Sequence, residues 1–248
     1  MNALLKNARV FNANALKFLA AALMLVDHIG YLLFPQALFL RIIGRLSFPL
    51  FAFAISEGCR YTKNKTKHFL LIFALAVACQ VVYYFFDDGN LYMSVLITFS
   101  LSVLTIYSLQ FFKQSLFSKD TDGLDKGLCF MLFLATLLCD YALCQTLTID
   151  YGFWGVMLPV FASVFDFRAI PAPELLKKLD CLPVRVCALA VGLLLLAQSF
   201  GGVEYYALLA LPILLLYNGE KGKWNTKYFF YIFYPLHLAL LQGISMLF

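Results

Sequence analysis

The sequence predicts an all-α fold, a polytopic bundle of transmembrane helices that crosses the bilayer about nine times. Three observations predict it. Of 248 residues, 62% are hydrophobic and 13% are charged, against about 25% charged in an ordinary soluble domain. The apolar residues, 26 Phe among them, form continuous blocks, not the alternating pattern of a membrane barrel. The basic residues gather in every second connection between those blocks.

The blocks cover 15–34, 38–58, 68–86, 91–112, 127–147, 151–166, 183–199, 203–217 and 227–247. A crossing helix needs about 20 apolar residues, within a range of about 17–25, and most blocks meet this. The blocks 151–166, 183–199 and 203–217 are short. Pro159 and the Gly201-Gly202 pair allow them to be broken or re-entrant helices, so the count lies between eight and ten.

Charge tests the count. With the N-terminus in the cytoplasm, the inner segments collect Lys6 and Arg9; Arg60, Lys63, Lys65 and Lys67; Lys113, Lys119 and Lys126; Arg168, Lys177, Lys178 and Arg185; and Lys221, Lys223 and Lys227. These are sixteen of the nineteen basic residues. The outer loops hold Asp87, Asp88, Asp150 and Glu204 and no Lys or Arg. This is the positive-inside asymmetry, with the N-terminus cytoplasmic and the C-terminus outside. The net charge of +5 is therefore topological. No nucleic-acid motif accompanies it, and no nucleic-acid partner is expected.

The chain reads as a single domain, 1–248, without an internal repeat. Its longest connections, 113–126 and 167–182, both fall inside. The second carries Pro171 and Pro173 and a short amphipathic piece over Glu174–Leu179, suited to the membrane surface. The seven Cys form no CxxC pair and read as small apolar packing residues, with no metal site. The first block carries Asp27 and His28 where a cleavable signal would be featureless.

Charges inside a span cost about 2.5–3.5 kcal/mol on insertion scales and usually mark function. Here they concentrate in the first two spans: Lys17, Asp27 and His28, then Arg41, Arg45 and, at the inner end, Glu57. Arg41 and Arg45 are four apart and share a helix face. A short connection makes the two helices antiparallel neighbours, so Asp27, His28, Arg41 and Arg45 meet at one depth. Asp27 and His28 are adjacent and point about 100° apart, so only one of them faces the arginines. Lys17 lies about 16 Å below His28 on nearly the same face, at the cytoplasmic mouth. In the last span Tyr231, Tyr234 and His237 form a polar ridge that Pro235 loosens. Glu57 has a second reading as an interfacial cap near Arg60, and Asp140 reads as interfacial at the outer end of its span. A purely structural ion pair between Asp27 and an arginine is the alternative for that cluster.

The run from Leu16-Lys17 through Met24-Leu25-Val26-Asp27-His28-Ile29-Gly30, then Leu40-Arg41 through Gly44-Arg45-Leu46-Ser47-Phe48-Pro49, then Ser56-Glu57-Gly58, resembles the TraX family. So does the segment from Lys227 to Leu238. The family is named for a membrane protein that N-acetylates a pilin. It is also similar to the wider integral-membrane acyltransferases, whose first span carries a basic residue, ten residues and a His, as Lys17 and His28 do here. The resemblance implies a multi-pass protein of the bacterial cytoplasmic membrane. It also implies acetyl transfer from cytoplasmic acetyl-CoA to an acceptor at the outer face: a peptide amine, or a hydroxyl of a glycan or lipid. By the same resemblance His28 is the base, with Arg41 and Arg45 beside it and Asp27 orienting an imidazole or fixing an arginine. Lys17, Arg60 and Lys63 suit the CoA phosphates, and Tyr231, Tyr234, His237 and Glu57 the acceptor. The non-enzymatic alternative is a small transporter or channel whose buried His, Arg and Asp form a proton or anion path.

Overall fold

The computed structural model describes residues 9–86, 92–223 and 226–246, so Lys6, Asp87 and Asp88 lie outside it. All regular elements among the described residues are helical: α1 (Ala13–Leu32), α2 (Leu38–Gly44), α3 (Ser47–Tyr61), α4 (Lys65–Phe86), α5 (Val95–Phe117), α6 (Gly123–Thr146), α7 (Gly152–Ser163), α8 (Glu174–Leu179), α9 (Leu182–Phe200), a 3-10 helix (Gly202–Leu209), α10 (Ala210–Leu215) and α11 (Lys227–Ser245). Among those residues five segments are long and apolar enough to cross a membrane: α1, Leu38–Tyr61, α5, α6 and α9.

The short blocks resolve in different ways. Block 183–199 becomes the 19-residue α9 and reaches span length. Block 151–166 shortens to the 12-residue α7, about 18 Å long against a hydrocarbon core of about 30 Å. Block 203–217 divides into the 3-10 helix and α10. The second block is interrupted at Arg45-Leu46, between α2 and α3, because Pro49 has no N–H to donate to the Arg45 carbonyl four residues earlier.

Within the expected single domain the chain forms two compact units, Met1–Ala54 with Val81–Asn90 and Leu193–Phe248, and Ile55–Gln80 with Leu91–Gly192. Three of the boundaries fall inside α3, α4 and α9, where an uninterrupted apolar run hides them from sequence reading.

In the first unit, the Asn12 side chain accepts from the Ala15 N–H at 2.9 Å and caps α1. The residues before α1 are stitched to the loop after α10. The Phe11 N–H donates to Leu216, Ala13 to Glu220 and Asn218 back to Phe11, at 2.8–3.1 Å. Helix α1 runs antiparallel to α2 and α3: Gly30 meets Leu40, Asp27 meets Gly44, and the Ser47 hydroxyl donates to the Ala20 carbonyl at 2.8 Å. It runs parallel to α11, since Phe18 packs on Phe229 and Phe230 while His28, ten residues on, packs on His237.

The second unit centres on α5, α6 and α7, whose core includes Val103, Ile106, Val156, Met157 and Val160. Asp140, expected at the interface, is 2% exposed. The Thr105 hydroxyl donates to its carboxylate, because lipid offers no hydrogen bond and the group must turn inward. Lys113 and Arg185, counted above among the inner connections, are also buried. Lys113 Nζ donates to the carbonyls of Ser163, Val164 and Asp166 at 2.6–3.3 Å and so closes the C-terminal end of α7. Arg185 pairs with Glu57 at 2.5 Å and donates to Ser56 at 3.2 Å and to the Ala162 carbonyl at 3.1 Å. Glu57, expected as an interfacial cap near Arg60, is buried and pairs with Arg185, with Arg60 within coulombic reach. Arg60 pairs with Asp166 at 2.8 Å and Asp180 at 2.5 Å.

Breaking the Arg185–Glu57 pair from one side takes from a buried charge its close ion-pair partner, which costs about 3–5 kcal/mol. Arg185→Met should therefore lower the thermal unfolding temperature in detergent sharply, and Arg185→Met with Glu57→Gln should recover most of the loss. Equal losses in the single and double variants would refute this account of the pair.

Candidate functional site

The first unit brings Asp27, His28, Arg41, Arg45 and His237 together, and adds a residue the sequence reading placed in an outer loop. Asp27 Oδ2 accepts from Arg41 Nη1 at 2.8 Å and from Arg45 Nη2 at 3.3 Å. Arg41 Nη1 also reaches the Asp27 carbonyl at 3.3 Å. The second Arg45 nitrogen, Nη1, donates to Glu204 Oε1 at 2.6 Å. The four charges alternate, Arg41–Asp27–Arg45–Glu204, and sum to zero. In low dielectric such alternation is what keeps buried ions tolerable.

Two close approaches make this chain possible. A Cβ built on Gly44 would lie 2.3 Å from Asp27 Cβ and Oδ1, and one on Gly30 would lie 2.7 Å from Leu40 Cβ. The glycines let α1 and α2 touch at the depth of the ion pairs, as small residues do in membrane helix packing.

Arg45 is almost wholly enclosed, whereas the Arg41 side chain is 25% exposed. The Arg41 guanidinium also stands over the Tyr31 ring at 5.1 Å, a cation–π contact. Arg41 is therefore the guanidinium with room to meet a substrate, and Arg45 is the braced one.

The histidines sit on the other face of α1. His28 Nδ1 lies 2.9 Å from the Met24 carbonyl, and His237 Nδ1 lies 2.8 Å from the Phe233 carbonyl. A carbonyl only accepts, so both Nδ1 atoms carry a proton, and each ring, when neutral, has its lone pair on Nε2. His237 Nε2 faces His28 Nδ1 at 3.4 Å, where it is an acceptor for the same N–H. This leaves Nε2 of His28 as the ring nitrogen able to take a proton from a substrate. His237 is buried at 4% exposed and wedged between Phe233, stacked at 4.8 Å, and Tyr234, edge-on at 5.6 Å. His28 is only half-buried and lies within coulombic reach of both arginines.

The expectation that only one of Asp27 and His28 faces the arginines holds: Asp27 does. Asp27 consequently fixes arginines and orients no imidazole, and the histidine's orienting partners are the Met24 carbonyl and His237. Tyr234 is buried against His237, while the side chain of Tyr231 lies outside the described residues. Lys17 is within coulombic reach of Lys221 in the loop that closes over the start of α1. Arg60, Lys63 and Glu57 belong to the second unit. Arg60 is doubly paired and Glu57 is paired with Arg185, while Lys63 is exposed.

Glu204 escaped the sequence reading because it opens a short block. The signal that points to it is the pair Gly201 and Gly202, both at positive φ, +68° and +54°. The turn they make sets the 3-10 helix across the ion pairs and aims its third residue at Arg45.

Comparison with known proteins agrees with the resemblance seen in the sequence. The family model described as TraX protein matches residues 12–245. The chain is 29% identical to a probable fimbrial assembly protein FimC, serogroup H1, of Dichelobacter nodosus, over 95% of this chain and 96% of that protein. It is 34% identical to an uncharacterized protein of Rickettsia prowazekii (strain Madrid E) over 32% of each. No solved structure matches the chain.

Gly44→Ala drives a methyl group into Asp27 and should destabilise the protein by about 1–3 kcal/mol. Gly243→Ala, with nothing within 4 Å of the added carbon, is the control. Thermal unfolding of both variants in detergent checks this, and an unchanged Gly44→Ala would count against the close approach.

Proposed function

The chain belongs to the TraX family, and from this premise we propose that it is an integral-membrane acyltransferase. It would move an acetyl group from cytoplasmic acetyl-CoA to an acceptor at the outer face, a peptide N-terminal amine or an envelope hydroxyl. The observation that carries the reading is the placing of the histidine pair, each Nδ1 on a backbone carbonyl and the two rings in contact. It leaves an accessible ring with a basic Nε2, held from behind, beside a guanidinium with spare donors.

The chemistry follows from those groups. The acceptor's N–H or O–H loses its proton to His28 Nε2 as its nitrogen or oxygen attacks the thioester carbonyl carbon. The oxyanion of the tetrahedral intermediate needs a fixed donor in a dry site, and Arg41 supplies one at no further reorganisation. The carbon–sulfur bond then breaks, and the CoA thiolate recovers the proton from His28. The imidazolium formed between these steps keeps its Nδ1–H on the Met24 carbonyl and His237. His237 and Tyr234 form the wall behind the base.

The donor's phosphates suit the inner mouth of the first unit, where Lys17 and Lys221 bring like charges together that an anion would relieve. Arg60, already held by two carboxylates, is less suited to that task than the sequence suggested. A relative named for fimbrial assembly fits an acceptor delivered to the cell envelope.

The proposed topology keeps nine crossings, N-terminus inside and C-terminus outside, in the bacterial cytoplasmic membrane. The parallel packing of α1 and α11 supports an odd number of crossings, since first and last spans that run the same way place the two ends of the chain on opposite faces. Cytoplasmic and periplasmic reporters fused after Phe248 should report an external C-terminus, and a cytoplasmic signal would reverse the orientation.

Purified protein in detergent should release CoA from acetyl-CoA in the presence of an acceptor extract. His28→Ala should abolish release while the unfolding temperature stays near wild type. Full release by that variant would sink the assignment of the base, and a wild-type protein that moves protons or anions without releasing CoA would favour the transporter reading.

A further inference from the structure

Glu204 is buried, comes from an element far from α2 in sequence, and makes the shorter of the two ion pairs on Arg45, 2.6 Å against 3.3 Å. We propose that Glu204 is a positioning residue for acyl transfer, which holds Arg45 from behind so that Asp27 remains free to orient Arg41. The inference rests on the acyltransferase reading above.

The argument is one of sharing. Asp27 receives both arginines on a single oxygen, Oδ2, at 2.8 Å from Arg41 and 3.3 Å from Arg45. Its other oxygen is packed against Gly44 and makes no hydrogen bond among the described residues. Asp27 thus has one oxygen for two cations. Without Glu204, Arg45 would draw more strongly on that oxygen and compete with Arg41 for it. Arg41 is the exposed member, so it is the one displaced. Glu204 prevents this by taking Arg45 Nη1 for itself. The geometry that delivers it is local: Gly201 and Gly202 both adopt positive φ, a conformation that residues with a side chain rarely adopt, and the 3-10 turn that follows carries Glu204 inward.

Neutralising Glu204 should therefore damage the step that Arg41 assists and spare donor binding at the distant inner mouth. In the CoA-release assay on full-length protein in detergent, Glu204→Gln should lower kcat by about 10- to 100-fold, as small misplacements in active sites do, with KM for acetyl-CoA within about twofold. Glu204→Asp, which keeps the charge, should recover part of the rate, and it serves in place of Glu204→Gln should that variant not fold. Adding Arg45→Gln to Glu204→Gln should cost little beyond Arg45→Gln alone, because the two groups act as one unit. Three results overturn the proposal while leaving the acyltransferase reading intact: an unchanged kcat in Glu204→Gln, a loss confined to KM, or multiplicative losses in the double variant. A wild-type protein that releases no CoA overturns both.

Discussion

One carboxylate oxygen organises the first unit. Asp27 Oδ2 is shared by two guanidinium groups inside a membrane-spanning helix, where a charge left alone costs several kcal/mol. Several features of the backbone answer to that demand. Gly44 must lack a side chain so that α2 can approach. The chain must break at Arg45, which Pro49 enforces by leaving the Arg45 carbonyl without its donor. A second carboxylate must arrive to balance the second arginine, and the 3-10 helix after Gly201-Gly202 brings it.

Much of this was legible in the sequence, and the reason is economy. In a chain with so few charges, each intramembrane one is conspicuous, and a short connection between two helices fixes which of them can meet. Helix direction and spacing were enough to bring Asp27, His28, Arg41 and Arg45 to one depth and to show that only one of Asp27 and His28 could face the arginines, though not which. What could not be read were partners distant in sequence. Glu204, Arg185 and Lys113 all looked like loop charges because each stands near the end of an apolar block. Hydropathy records that a residue flanks a span, yet does not record that a helix end has been folded inward. Asp140 shows the complement: its place near one end of a span could be read, but depth along a helix does not say which way a residue faces, and this one faces inward.

Block lengths misled in a physical way too. The 3-10 segment packs fewer residues into its rise than an α-helix would, at about 2.0 Å per residue. Residues 203–217 therefore reach further than an α-helix of that length, and 151–166 shortens because Tyr151, just before α7, and Gly152, its first residue, adopt positive φ, and the helix ends at Ser163. A residue count converts to membrane thickness only after the helix type is known.

The adjacent pair Asp27-His28 finally explains how one helix can serve two chemistries. Residues one apart on a helix face different neighbours, so a charged network and an imidazole held on a backbone carbonyl stand side by side without a hydrogen bond between them. Were Asp27 bonded to the imidazole, its charge would be drawn from the arginines, and Arg41 would lose its anchor. With the carboxylate committed to cations, the hydrogen-bond partners of His28 among the described residues are the Met24 carbonyl and His237 Nε2. His28 and Arg41 are thereby held by different partners, the Met24 carbonyl and His237 for the one and the Asp27 carboxylate for the other.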